Sequence, residues 1–87
     1  MTMVATKETF DIIEKFVEAN IFYKDTQFSV RIALNTTECK DGRIMFDLSF
    51  YPAILATNLE AVQNCCAYCE KIEREVENIW DKRMNWR

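Results

Sequence analysis

Residues Thr57–Arg83, TNLEAVQNCCAYCEKIEREVENIWDKR, read as one long amphipathic helix, and the fold follows from what that helix must cover. The start signal is Thr57-Asn58-Leu59-Glu60, a capping box. In it the Thr57 hydroxyl is expected to accept from the Glu60 backbone N–H while the Glu60 carboxylate reaches back to the Thr57 N–H. Bonds of this kind satisfy amides that the first turn of a helix leaves without partners. Val62, Cys65, Cys69, Ile72, Val76 and Ile79 then recur at alternating spacings of three and four and form one stripe. Leu59, Cys66 and Trp80 lie on one shoulder of it, Ala61 and Tyr68 on the other. The opposite side, with Glu60, Gln63, Asn64, Ala67, Lys71, Arg74, Asn78 and Asp81, is almost wholly polar, and no Gly or Pro interrupts the run to Arg87. The heptad pattern lasts only about two and a half heptads, short of a coiled coil. The expected partner of the stripe is therefore the chain's own sheet, with a helix-mediated dimer as the rival.

Working back from that helix, Gln27–Thr36 alternates, with Phe28, Val30, Ile32 and Leu34 on one face and Ser29, Arg31, Ala33 and Asn35 on the other. Lys40-Asp41-Gly42 supplies turn chemistry. The next run sets Ile44, Phe46, Leu48 and Phe50 against Arg43, Met45, Asp47, Ser49 and Tyr51. Together they predict a β-hairpin, in which pairing should weaken at Pro52 and give way to an apolar connector over Ala53–Ala56. Thr6–Asn20 predicts a first amphipathic helix, capped by Thr6 and ended by Asn20 in a left-handed conformation, with Phe10, Ile12, Ile13, Phe16 and Val17 on its apolar side. Met1–Ala5 carries no structural signal, and Ile21–Lys24 reads equally as a last helical turn, a loop or a short strand. The expectation is an α+β domain spanning residues 1–87, in the order helix-strand-strand-helix, with an antiparallel hairpin covered on one face by two amphipathic helices. A two-stranded sheet leaves two open edges, so a homodimer is expected as well, joining hairpins into one continuous sheet.

Composition narrows the function. Eighty-seven residues with 49% hydrophobic content suffice for one core, and a single Gly and a single Pro leave no linker. A formal charge of −3 argues against a direct nucleic-acid binder, whose affinity comes from clustered Lys and Arg. No apolar run is long enough for a bilayer span, and the N-terminal stretch lacks a signal-peptide pattern, so a cytoplasmic protein without membrane contact is expected. With no His, His-assisted serine and cysteine nucleophiles are excluded, and with Gly42 as the only glycine there is no Gly-rich phosphate loop. Glu70, Glu73, Glu75 and Glu77 alternate with Lys71 and Arg74 as a solvated helix side does. No enzyme activity and no cofactor are expected.

The cysteines are the sharpest chemical feature. Cys66-Ala67-Tyr68-Cys69 has CxxC spacing, Cys65 adds a thiol and Cys39 is a candidate fourth ligand, so a zinc or redox sensor is one reading. Their position about two turns inside the helix, on the apolar stripe, favours core packing instead, since a redox CxxC draws its low thiolate pKa from a helix N-terminus. Two surfaces remain for binding. One is the hairpin's outer face with Arg31, Arg43, Met45, Asp47 and Tyr51. The other is the last helix, with Glu70 and Glu77 on its acidic flank and Arg83, Trp86 and Arg87 at its end, among the residue types enriched in interface hot spots. Trp86 is placed either on a partner or against the first helix.

The expected function is a non-enzymatic protein-binding module, a small inhibitor or adaptor acting on a larger protein complex. In format the chain resembles phage-encoded inhibitors of bacterial defence, anti-CRISPR and anti-restriction proteins among them. That likeness implies a viral protein whose partner is a nucleic-acid-handling complex. The zinc or redox sensor is the alternative.

Overall fold

A computed structural model describes residues 2–84 as β1 (Met3–Ala5), α1 (Lys7–Ala19), β2 (Phe22–Lys24), β3 (Phe28–Glu38), β4 (Ile44–Ile54) and α2 (Leu59–Met84). The hairpin of β3 and β4 turns at Cys39–Arg43. There the Cys39 N–H donates to the Arg43 carbonyl at 2.8 Å and the Gly42 N–H to the Cys39 carbonyl at 3.1 Å. Gly42 has φ of +87°, which a residue without Cβ adopts at no steric cost and which a three-residue hairpin loop requires.

The register runs from Phe28↔Ile54 to Glu38↔Ile44, so β4 continues through Pro52 where the sequence predicts that pairing weakens. The physical reason is parity. The Cys39–Arg43 bond at one end and the 2.8 Å bond from the Leu55 N–H to the Gln27 carbonyl at the other show that odd-numbered residues turn their amides toward the partner strand. Even-numbered residues of β4 turn theirs to the sheet's edge. Pro52 is even-numbered, so its missing N–H removes nothing from the ladder with β3.

Two short strands extend the hairpin. β1, in a stretch without sequence signal, pairs antiparallel with the start of β4, and β2, in the ambiguous stretch, pairs antiparallel with the start of β3. The predicted helix-strand-strand-helix order is corrected to β-α-β-β-β-α, and the two-stranded sheet to a four-stranded antiparallel one of order β1-β4-β3-β2. Strands of three residues are too short to show alternation; they are defined by the long strands that they join.

The even-numbered side chains Phe28, Val30, Ile32 and Phe46 are buried in one core with Phe10, Ile13 and Val17 of α1 and Cys65, Ile72 and Val76 of α2. Phe10 meets Phe46 edge to face, with ring centroids 5.6 Å apart. Thr6 caps α1 as predicted, accepting from the Thr9 N–H at 3.3 Å. At the other end Asn20 is not left-handed (φ −119°); its side-chain amide donates to the Phe16 carbonyl at 2.8 Å instead.

α2 begins one residue later than its predicted capping box: Asn58 Oδ1, not Thr57, accepts from the Ala61 N–H at 2.8 Å. Its buried line is Ala61, Cys65, Ile72 and Val76, while Val62 and Leu59 are exposed, so the stripe is turned toward the Ala61–Tyr68 shoulder in the first half of the helix. Edge contacts set this rotation. Tyr68 stacks on Tyr23 of β2 at 4.5 Å, and Trp80 Nε1 donates to the outward-facing Val4 carbonyl of β1 at 2.8 Å. Among the described residues no helix is long and apolar enough to cross a membrane.

Candidate functional site

The outer face of the sheet is built by the odd-numbered residues of β3 and β4 and, across the β2–β3 register, by Phe22 and Lys24. Phe22, Arg31 and Tyr51 stand directly opposite one another on three adjacent strands. The Arg31 guanidinium lies 5.5 Å from the Tyr51 ring centroid, a cation–π contact at an exposed site. Phe22 is 57% exposed and Tyr51 53%, large values for aromatic residues in strands. Toward the hairpin turn the face becomes polar, with Asn35 opposite Asp47, Asn35 donating to Ser49 Oγ at 2.7 Å, and Met45 exposed beyond them. Arg43 sits in the turn itself, held by Asp41 at 2.7 Å. The Asp41 carboxyl lies below its ordinary value, chiefly because the Arg43 amide donates to it.

The structure thus gathers Arg31, Met45, Asp47 and Tyr51 on one face with Arg43 at its end. It adds Phe22, which the sequence left unplaced because Ile21–Lys24 was ambiguous. A strand assignment there, with period-two alternation running Phe22 out and Tyr23 in, was the signal that would have found it.

The helix candidates do not join this surface. Glu70 and Arg83 are exposed on α2, which packs on the core side of the sheet. Glu77 lines a groove of about 470 Å³ between β1 and the end of α2 together with Arg43, Trp80, Asp81 and Met84. Arg43, Glu77 and Asp81 all line this groove, and the ion pair that Arg43 makes is the one with Asp41. Trp86 and Arg87 lie outside the described residues.

Aromatic packing fills the other end of the sheet. Tyr23, Phe28 and Tyr68 form a cluster, and the Tyr23 hydroxyl donates to Asp25 at 3.2 Å. Asp25 also accepts from the Gln27 and Phe28 amides at 2.7 and 3.0 Å, which closes the β2–β3 turn and holds its carboxyl below the ordinary range; the Tyr23 hydroxyl is correspondingly raised.

The four cysteines do not converge. Cys39 follows the last residue of β3, whereas Asn64, one residue before Cys65, donates at 2.7 Å to Gln27, the residue just before β3. The length of an eleven-residue strand, ~35 Å, separates the two ends. Cys65 is buried and Cys69 half-buried, and burial is the main cause that pushes both thiols up, Cys69 to about 11. Cys66, placed by the sequence on the buried side, is exposed. Among the described residues no group of three or more His, Cys, Asp or Glu is arranged to hold a metal ion.

The chain matches no protein-family model, no curated protein and no solved structure. Its surfaces are therefore read from their own chemistry.

Proposed function

We propose that this chain is a cytoplasmic, non-enzymatic protein-binding module, an inhibitor or adaptor that docks the outer face of its sheet on a larger protein complex. The observation that carries this reading is the exposed row Phe22–Arg31–Tyr51. Aromatic residues and Arg dominate the energetics of protein interfaces because they bury large rigid areas and still offer a hydrogen-bonding end. Here they stand on a sheet face that no other element of the described chain covers. Lys24 and Arg31 give that end of the face a positive character within an acidic chain, which suits a partner surface rich in carboxylates. In format the protein resembles phage-encoded inhibitors of bacterial defence, and a nucleic-acid-handling complex is the class of partner that this likeness suggests.

Affinity capture from a bacterial host with the wild-type chain, in parallel with Phe22→Ala and Arg31→Ala, tests the reading. A defined host complex enriched by the wild type is expected to bind each variant at least about tenfold more weakly, the loss typical of truncating an interface anchor. Its on-rate should fall as salt rises. Equal capture by wild type and variants would refute the outer face as the docking surface.

A further inference from the structure

β4 leaves one edge of the sheet open. β1 reaches only Ile44–Phe46, and from Leu48 to Ile54 the outward amides and carbonyls of β4 have no backbone partner among the described residues. α2 runs beside this edge, since Glu73 and Glu77 line a small pocket with Leu48 and Met3. On the same side of the helix, at spacings of three and four toward its start, lie Cys69, Cys66, Val62 and Leu59. Leu59 is 69% exposed and Val62 44%, and next to them Ile54 and Leu55 are 44% and 49% exposed. The open strand edge and this flank of the helix, bordered by the exposed Glu70 one turn from Cys66, make one continuous wall.

We propose that the wall binds a second copy of the chain, β4 against β4 in antiparallel pairing, about a two-fold axis at Tyr51. In that register Leu48 faces Ile54 and Phe50 faces Pro52 of the other copy. Every outward amide between Leu48 and Ile54 finds a carbonyl, and Pro52, which has no N–H to offer, still accepts from Phe50. Centring the axis on Phe50 would set Ile54 opposite Phe46, whose edge β1 already occupies. Centring it on Pro52 would set two prolines opposite each other with no bond between them. Of these three registers, only the one centred on Tyr51 avoids both the edge held by β1 and a proline facing a proline.

Charge fits the same symmetry. Seven helical residues back from Glu73 rise ~10 Å and three strand residues on from Leu48 advance ~10 Å, which brings Cys66 level with Tyr51. A two-fold axis sets like on like: Cys66 meets Cys66 at this axis, and the exposed Glu70 carboxylates, one turn further on, fall ~12 Å apart along the helices. The two Glu73 carboxylates fall on either side, roughly 20 Å apart along the helices. The wall is ~23 Å long and ~15 Å high, so two copies bury roughly 700 Å², below the range of stable complexes and in that of weak, transient ones. The dimer therefore forms with rising concentration and is not obligate. It also brings the two Tyr51 side chains together on the outer face, although its formation does not depend on the protein-binding reading above.

Sedimentation across a micromolar concentration series, combined with a short bis-maleimide crosslinker, tests the proposal. The expected result is a mass that rises to that of a dimer, a covalent dimer formed through the exposed Cys66 and lost in Cys66→Ser, and dimerisation weakened at least tenfold in Leu59→Glu/Val62→Glu. Because both side chains are exposed, the double variant is expected to keep the circular dichroism of the wild type. A monomer mass throughout, a dimer that survives the double Glu variant, or crosslinking through Cys39 alone would each overturn it.

Discussion

Asn58 and Thr57 are both good helix caps, and only one of them can occupy the position. The structure gives it to Asn58, whose Oδ1 holds the Ala61 amide at 2.8 Å. Asn58→Ala is accordingly expected to lower stability by ~1 kcal/mol. Thr57→Ala should cost under about 0.5 kcal/mol, a surface-like value, and urea unfolding of the two variants separates them. The cysteines differ from one another in the same residue-by-residue way. Cys66 is exposed, while burial holds the Cys65 thiol up and that of Cys69 at about 11. With a thiol reagent near neutral pH, mass mapping is expected to find Cys66 modified first, the half-buried Cys69 more slowly, and the buried Cys65 only under unfolding conditions. Simultaneous modification of Cys65 and Cys66 would contradict the burial seen here.

At the scale of elements, the short strands are held from outside as much as by their own ladders. β1 has three residues, and the Trp80 Nε1 bond to Val4 caps its open edge. Trp80→Phe keeps the apolar body and removes the donor, so a loss of about 1 kcal/mol is expected, with faster amide exchange at Met3 and Ala5. The β2–β3 turn depends on a charged group. Asp25 accepts from two backbone amides and its carboxyl lies below the ordinary 3.8. The folded chain therefore binds this proton less readily than the unfolded one. The stability it adds is present above the ordinary carboxylate range and is lost as the pH falls through the lowered value. Asp25→Asn retains an oxygen acceptor but cannot titrate, so its urea midpoint is expected to fall less than that of the wild type between neutral pH and about pH 2.

On the scale of the whole molecule, Phe46 joins the layers: it pairs with Met3 of β1 and Thr36 of β3 and meets Phe10 of α1. It is 1% exposed. Phe46→Ala should cost roughly 3–5 kcal/mol. That is a large share of the ~4–13 kcal/mol expected for 87 residues, and thermal unfolding should lose cooperativity. Much of this architecture was legible in the sequence. Period-two alternation identified both hairpin strands, Asp41-Gly42 identified their turn, and the periodic apolar residues identified both helices. The sheet's edges and the rotation of α2 were not legible, because both depend on contacts between distant segments. Phe22 escaped the candidate site for the same reason: its face is set by pairing with Arg31, not by any local pattern.

The sequence by itself determined the α+β class, the two helices and the central hairpin, since these follow from periodicity and turn chemistry. Tertiary structure alone decided that three-residue strands complete the sheet, that Pro52 lies harmlessly within β4, and that Cys66 faces solvent while Cys65 does not. It also brought Phe22, Arg31 and Tyr51 into one row. The physical reason is range. A helix or a long strand repeats its preference often enough to be read locally, whereas an edge strand, an amide's direction or a helix's rotation is fixed by partners tens of residues away.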